Sequence, residues 1–264
     1  MKKQVKTSFM KRILLVLCLI SFIAVCKVNA QVDQSTEVGV FEHLGRTIPL
    51  DLSFVNDKSE HVTLRQLINK PTILSFVYFD CPGLCSPLLE GVGDVIRKTP
   101  SMVLGKDYQV ITVSFNYRDT PQKAKEKKTK FVERYSKNNK DGWIFLTTDS
   151  TTILKITDAT GFKTKAVGLD FVHPSAIIAI SPQGKITRYL YGITYLTNDF
   201  KLAIIEAGKE QPRPTIQKLL LMCYTYDPEN KRFGLDIMKI SGILIVFFIL
   251  AFILVFRIRS NKKN

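Results

Sequence analysis

Thr72-Ile73-Leu74-Ser75-Phe76-Val77-Tyr78 is a near-continuous run of apolar and β-favouring residues, and it leads directly into Phe79-Asp80-Cys81-Pro82-Gly83-Leu84-Cys85-Ser86-Pro87. A run of that length and composition reads as a strand buried on both faces. A helix follows it: Ser86-Pro87 offers a cap and a first-turn proline, and Leu88, Leu89, Val92, Val95 and Ile96 share one face. Two thiols four residues apart therefore stand where a buried strand meets its helix, the edge of an open α/β sheet at which sites form.

Beyond this junction, Tyr108 to Phe115 predicts a second strand, and Thr120-Pro121 opens a helix with sparse apolar positions at Ala124, Phe131, Val132 and Tyr135. Trp143 to Leu146 predicts a short strand, and Ser150 caps a helix through Ile153, Leu154 and Ile156. Ala176 to Ile180, the turn Ser181-Pro182-Gln183-Gly184 and Lys185 to Tyr191 predict a hairpin. Strands alternating with helices and closing on a hairpin give an α/β architecture: one thioredoxin-like domain with a mixed sheet and helices on both faces.

The 264 residues carry 38 Lys+Arg against 23 Asp+Glu, a formal charge of +15. Six of the cations lie within residues 1–30 and four within 257–264, and neither stretch contains an acid. The remainder holds 28 basic and 23 acidic residues, a net of +5, which is an ordinary solvated surface rather than a phosphate-binding groove. Nucleic acid is thus not an expected partner. A hydrophobic share of 45% also excludes intrinsic disorder.

The charged ends read as membrane signals. Lys2, Lys3, Lys6, Lys11 and Arg12 precede an apolar run from Ile13 to Val25, and Val28-Asn29-Ala30 supplies a cleavage site, the layout of a signal peptide. Ile240 to Phe256 is apolar apart from Ser241 and Gly242, and with Leu235 to Lys239 it reaches spanning length. Arg257, Arg259, Lys262 and Lys263 follow at once and mark the cytoplasmic side. The expected organisation is a signal peptide (1–30), a polar lead-in (31–45), the thioredoxin-like domain (46–211), a hinge and juxtamembrane segment (212–234), a membrane helix (235–257) and a basic cytoplasmic tail (258–264).

Of five cysteines, Cys18 and Cys26 fall in the segment expected to be removed, leaving Cys81, Cys85 and Cys223 on the oxidising side. Three is odd, so either a thiol is free or Cys81 and Cys85 are kept for chemistry rather than for a structural framework. A helix N-terminus favours thiolates, and thiolates are soft donors suited to Cu(I). Two sulfurs leave such an ion under-coordinated. His173, in the loop Phe171-Val172-His173-Pro174-Ser175 ahead of the predicted hairpin, is the third donor that this chain order brings back beside the cysteines.

At these residues the chain resembles the SCO/SenC family, in a bacterial branch with a C-terminal membrane helix. The family similarity rests on three motifs: Cys81-Pro82-Gly83-Leu84-Cys85-Ser86-Pro87, Arg118-Asp119-Thr120-Pro121 at the end of the second strand, and His173 with the turn Ser181-Pro182-Gln183-Gly184; the branch rests on the segment Leu219 to Pro228 followed by the membrane helix. The resemblance implies copper, as Cu(I) or Cu(II), held by Cys81, Cys85 and His173. It implies a metallochaperone anchored in the bacterial inner membrane with its domain in the periplasm. Its partner would be the copper-bearing subunit of cytochrome c oxidase or another copper chaperone.

Two departures bear on this. Val172 stands where an acid often precedes the family's histidine, with Asp170 three residues before it, and Pro174 resembles the cis-proline facing the cysteines of thioredoxin-like reductases. A thiol-disulfide oxidoreductase acting on oxidase cysteines is therefore the alternative, with Cys81 as nucleophile and Cys85 as resolving thiol. A peroxidase is disfavoured, because Asp80 beside Cys81 is expected to oppose the thiolate. Met222 and Cys223 are further sulfur donors near the membrane, Cys223 reading as a buried free thiol, and the lysine-rich stretch Lys123 to Lys137 reads as a solvated helix face.

Overall fold

A computed structural model describes residues 38–168 and 170–214, the backbone of two short strands at 224–227 and 232–235, and scattered helical positions between 242 and 253. The signal peptide, Met222, Cys223, the basic tail and most of the expected membrane span lie outside the described residues. Among the described residues no helix is long and apolar enough to cross a membrane.

The strands, in chain order, are β1 (Gly39–Val40), β2 (Ser53–Asn56), β3 (His61–Thr63), β4 (Thr72–Val77), β5 (Gln109–Ser114), β6 (Trp143–Thr147), β7 (Phe162–Lys163), β8 (Lys165–Val167), β9 (Asp170–Val172), β10 (Ala176–Ile180) and β11 (Ile186–Tyr191). Seven of them form one sheet in the order β11-β10-β4-β5-β6-β2-β3. Its centre, β4-β5-β6, is parallel; β10 and β2 flank it antiparallel, and the edge strands β11 and β3 are in turn antiparallel to β10 and β2. The expected mixed α/β sheet flanked by helices is thus present.

Every residue of β4, β5 and β10 is buried, as their continuous apolar composition requires of strands covered on both faces. Alternation along β4 shows what covers each face. Ser75 shares hydrogen bonds with Thr112, which in turn accepts from the Trp143 indole, and Trp143 meets Phe131 of the helix Pro121–Tyr135. One residue on, Phe76 points the other way and meets Phe162 with ring centroids 4.9 Å apart. Phe162 belongs to β7, which follows directly on the helix Ser150–Thr160.

Local chemistry explains the boundaries. Thr120 caps the lysine-rich helix by accepting from the Lys123 N–H, with Pro121 in the first turn as anticipated. Asp149, not Ser150, caps the next helix, because its carboxylate reaches the N–H groups of both Thr151 and Thr152. The cysteine helix (Cys85–Arg97) begins two residues earlier than Pro87 implied; a proline anywhere in the first turn removes an N–H that has no helical partner. Gly184 closes the β10–β11 turn at φ +83°, a conformation only glycine adopts without strain.

Several elements were not anticipated: β2 and β3, the hairpin β8–β9, and the helix Thr197–Gly208. That helix buries Phe200, Ala203, Ile204 and Ala207, a readable helical spacing, but the side chain of Leu196 gives no cap to announce it. The lysine-rich helix is less purely solvated than expected. Lys123 pairs with Asp80 and Asp119, Arg134 with Glu90, and Lys128 forms a largely buried pair with Asp57 at 3.0 Å.

Candidate metal centre

Cys81 lies in the loop after β4, Cys85 is the first residue of the cysteine helix, and His173 follows β9. Their ligand atoms, the two Sγ and a ring nitrogen, all lie within 4.8 Å of one another. All three residues nominated from the sequence are therefore together, at the C-terminal edge of the parallel strands. Both cysteines are free thiols.

The three donors differ in exposure and proton affinity. Cys81 is partly exposed and Cys85 is buried. Burial alone would raise the Cys81 thiol, but the Cys85 backbone N–H and side chain and the Gly83 N–H stabilise its thiolate and hold it below the ordinary range. The Gly83 N–H reaches the Cys81 sulfur at 3.4 Å. Because Leu84 supplies no side-chain cap, the Cys81 sulfur faces the unpaired N–H groups at the start of the helix. Cys85 behaves oppositely: burial pushes its thiol well up, only partly offset by the Tyr78 N–H at 3.4 Å.

Asp80 does not oppose the Cys81 thiolate as the sequence suggested. Its carboxylate is ion-paired with Lys123. The cis-proline resemblance fails too, since no peptide bond among the described residues is cis.

His173 is half-buried, and burial lowers its imidazole below the ordinary value, partly countered by a hydrogen bond to the Pro174 carbonyl. That bond, Nδ1 to Pro174 O at 2.9 Å, fixes the tautomer. A carbonyl only accepts, so Nδ1 carries the proton and Nε2 presents its lone pair to the Cys85 sulfur at 3.5 Å. With Cys85 protonated, its weak S–H donor points at Nε2, and a metal ion would take that proton's place.

The donor set fits a soft ion in number and spacing. Ligands at about 2.0–2.3 Å around a trigonal centre stand roughly 3.7–4.0 Å apart. The observed separations bracket that figure, so closure needs shifts of under about 1 Å.

Residues around the donors complete the site. Phe115 and Tyr78 flank the His173 ring, with centroids at 5.3 and 6.1 Å. Asp119, whose side chain is fully buried, accepts from the Phe79 N–H at 2.7 Å and the Ser114 hydroxyl at 2.6 Å, tying the cysteine loop to the end of β5. Its place in Arg118-Asp119-Thr120-Pro121 marks a motif, but the sequence alone does not reveal this anchoring role. The sequence marks Tyr78 only as the last residue of a strand; its N–H goes to the Cys85 sulfur, and its hydroxyl reaches Asp170.

Comparison with known proteins agrees with this arrangement. The SCO1/SenC family model matches residues 45–205. A curated relative, a SCO1 protein homolog from Bacillus subtilis (strain 168), is 26% identical over 145 residues, covering 53% of this chain and 72% of its own length. A solved structure, a putative electron transfer protein from Aquifex aeolicus VF5, is 32% identical with a TM-score of 0.56, covering 63% of this chain and 95% of its own. BsSco, a member of the Sco family of cytochrome c oxidase assembly proteins in which a disulfide switch was identified, is 21% identical with a TM-score of 0.50, covering 64% of this chain and 98% of its own. At that identity the likeness is one of fold.

Proposed function

The chain belongs to the SCO1/SenC family, and on that premise we propose that it is a membrane-tethered copper chaperone. It carries one copper ion on Cys81, Cys85 and His173 and delivers it to the CuA-bearing subunit of cytochrome c oxidase, or to another copper chaperone, during oxidase assembly. The observation that supports this reading best is the convergence of two sulfurs and a tautomer-fixed imidazole from segments 88 residues apart.

Each donor has a distinct part in capture and release. Cys81, the most accessible and the readiest to be thiolate, meets the incoming ion and is the ligand a recipient thiolate displaces. Cys85 gives up its proton as the metal arrives, so binding releases protons and tightens with rising pH. His173 has no proton to lose at Nε2 and closes the third position without adding charge. In this reading the signal peptide exports the domain, the segment 235–257 tethers it to the inner membrane, and the domain works in the periplasm.

Metal analysis of the chain purified with reduced thiols and exposed to copper tests the reading. One copper per chain, with a sulfur-to-Cu(II) charge-transfer band on oxidation, is the expected result; no copper retained at equimolar loading contradicts it.

A second reading, reduction of oxidase-subunit cysteines, is favoured by the asymmetry of the two thiols: an accessible, stabilised thiolate at Cys81 backed by a buried thiol at Cys85. A Cys85→Ser variant then accumulates a mixed disulfide through Cys81, whereas capture of no partner in oxidase-producing cells counts against it.

A further inference from the structure

His173 reaches the cysteines on the end of an exposed hairpin. In β8 and β9 every described residue except Phe171 is exposed, so little burial holds this arm in place. Two kinds of contact fasten it to the body. Phe171 packs edge-on against Tyr78 and Phe115, with centroids 5.4 Å away in each case. In addition, the Tyr78 hydroxyl donates to the Asp170 carboxylate across 3.3 Å, linking residues 92 positions apart.

Tyr78 and Asp170 each sit three residues before a donor, Cys81 and His173 respectively. Their hydrogen bond therefore joins the cysteine segment to the histidine segment beside the sulfurs. We propose that Tyr78 and Asp170 are positioning residues, forming a clasp that holds the β8–β9 arm against the cysteine loop and sets the approach of His173 Nε2 to the two sulfurs.

The purpose of the clasp rests on the copper reading above, but its existence does not depend on it. Its removal withdraws one hydrogen bond from the arm, which corresponds to about a two- to tenfold change in any equilibrium that requires the arm docked. Asn at position 170 keeps an acceptor oxygen for the hydroxyl, and Ala does not. Phe at position 78 keeps the ring packing on Phe171 and His173 and loses only the hydroxyl.

The test uses the full chain and the variants Tyr78→Phe, Asp170→Ala, Asp170→Asn and Tyr78→Phe/Asp170→Ala. In the metal-free, reduced protein, nitrogen NMR of the His173 ring should show the parent's single Nδ1-protonated set in Asp170→Asn. Shifted or exchange-broadened signals are expected in Tyr78→Phe and Asp170→Ala. In copper competition, both of those variants should weaken binding about two- to tenfold, and the double variant should be no worse than Tyr78→Phe alone. Ring signals unchanged in Tyr78→Phe and Asp170→Ala, or losses that add in the double variant, overturn the clasp. A parent that binds no copper while its ring signals still respond sinks the copper reading and leaves the clasp standing. A copper-binding parent whose ring signals ignore these substitutions does the reverse.

Discussion

Cys85 Sγ and His173 Nε2 stand 3.5 Å apart although 88 residues separate them. The parallel register of β4 on β5 and the antiparallel register of β10 on β4 place the end of β4 and the start of β10 at the same sheet edge. In the copper chaperone proposed above, capture exchanges the Cys85 thiol proton for an ion among donor atoms that lie within 4.8 Å of one another.

Cys81 should react with an alkylating agent well before Cys85 in the metal-free, reduced protein. Because the Cys81 thiolate is stabilised, its rate should climb through a pH below the ordinary thiol value. Cys85, raised by burial, should remain slow until more alkaline pH. Mass spectrometry of peptides after timed alkylation reads this, and equal rates at neutral pH would contradict the assigned asymmetry.

Asp119→Ala should destabilise the domain by about 1–3 kcal/mol, since it leaves the buried Phe79 N–H and Ser114 hydroxyl without their acceptor. Copper affinity should fall with it, because the cysteine loop is anchored there. Urea denaturation and copper competition on the same preparation measure both; unchanged values would show that the anchor is dispensable.

Gly91 of the cysteine helix carries a prediction whose sign separates two effects. Helix propensity alone favours Ala over Gly by about 1 kcal/mol. A Cβ at this position, however, would lie 1.9 Å from the Ile193 carbonyl oxygen. Gly91→Ala should therefore destabilise by about 1–3 kcal/mol as the helix is forced off the Ile193 segment. A raised melting temperature would show that the two segments part without cost.

Asp149→Ala should cost about 1 kcal/mol at neutral pH through loss of the helix cap. Hydrogen bonds, first from the Thr152 side chain, hold the Asp149 carboxyl below its ordinary value. Its contribution is thus present above the unfolded-state pKa and is lost as pH falls through the lower folded value. The difference between parent and variant in urea midpoint should shrink in strong acid; a constant difference would argue against a charged cap.

The central strands and the three donors were legible because burial on both faces imposes long apolar runs, and soft-metal chemistry needs sulfur and imidazole at a sheet edge. Helix starts were less so: Pro87 and Ser150 each suggested a boundary that the backbone places one or two residues earlier. Tyr78 and Asp119 were hidden for a different reason. Their roles are hydrogen bonds to backbone and side-chain groups distant in the chain, and neither periodicity nor spacing encodes such partners. Asp80 misled because adjacency in sequence to Cys81 says nothing of the direction of its carboxylate, which Lys123 draws away.

The most direct test of the three-donor site is copper competition between the parent chain and His173→Ala at matched pH and chelator concentration. Loss of a coordinating imidazole should weaken binding by at least about 100-fold, beyond the usual effect of altering a ligand's hydrogen-bond partner. Equal affinity in the two proteins would show that His173 does not bind the ion, and the account of the site would fail.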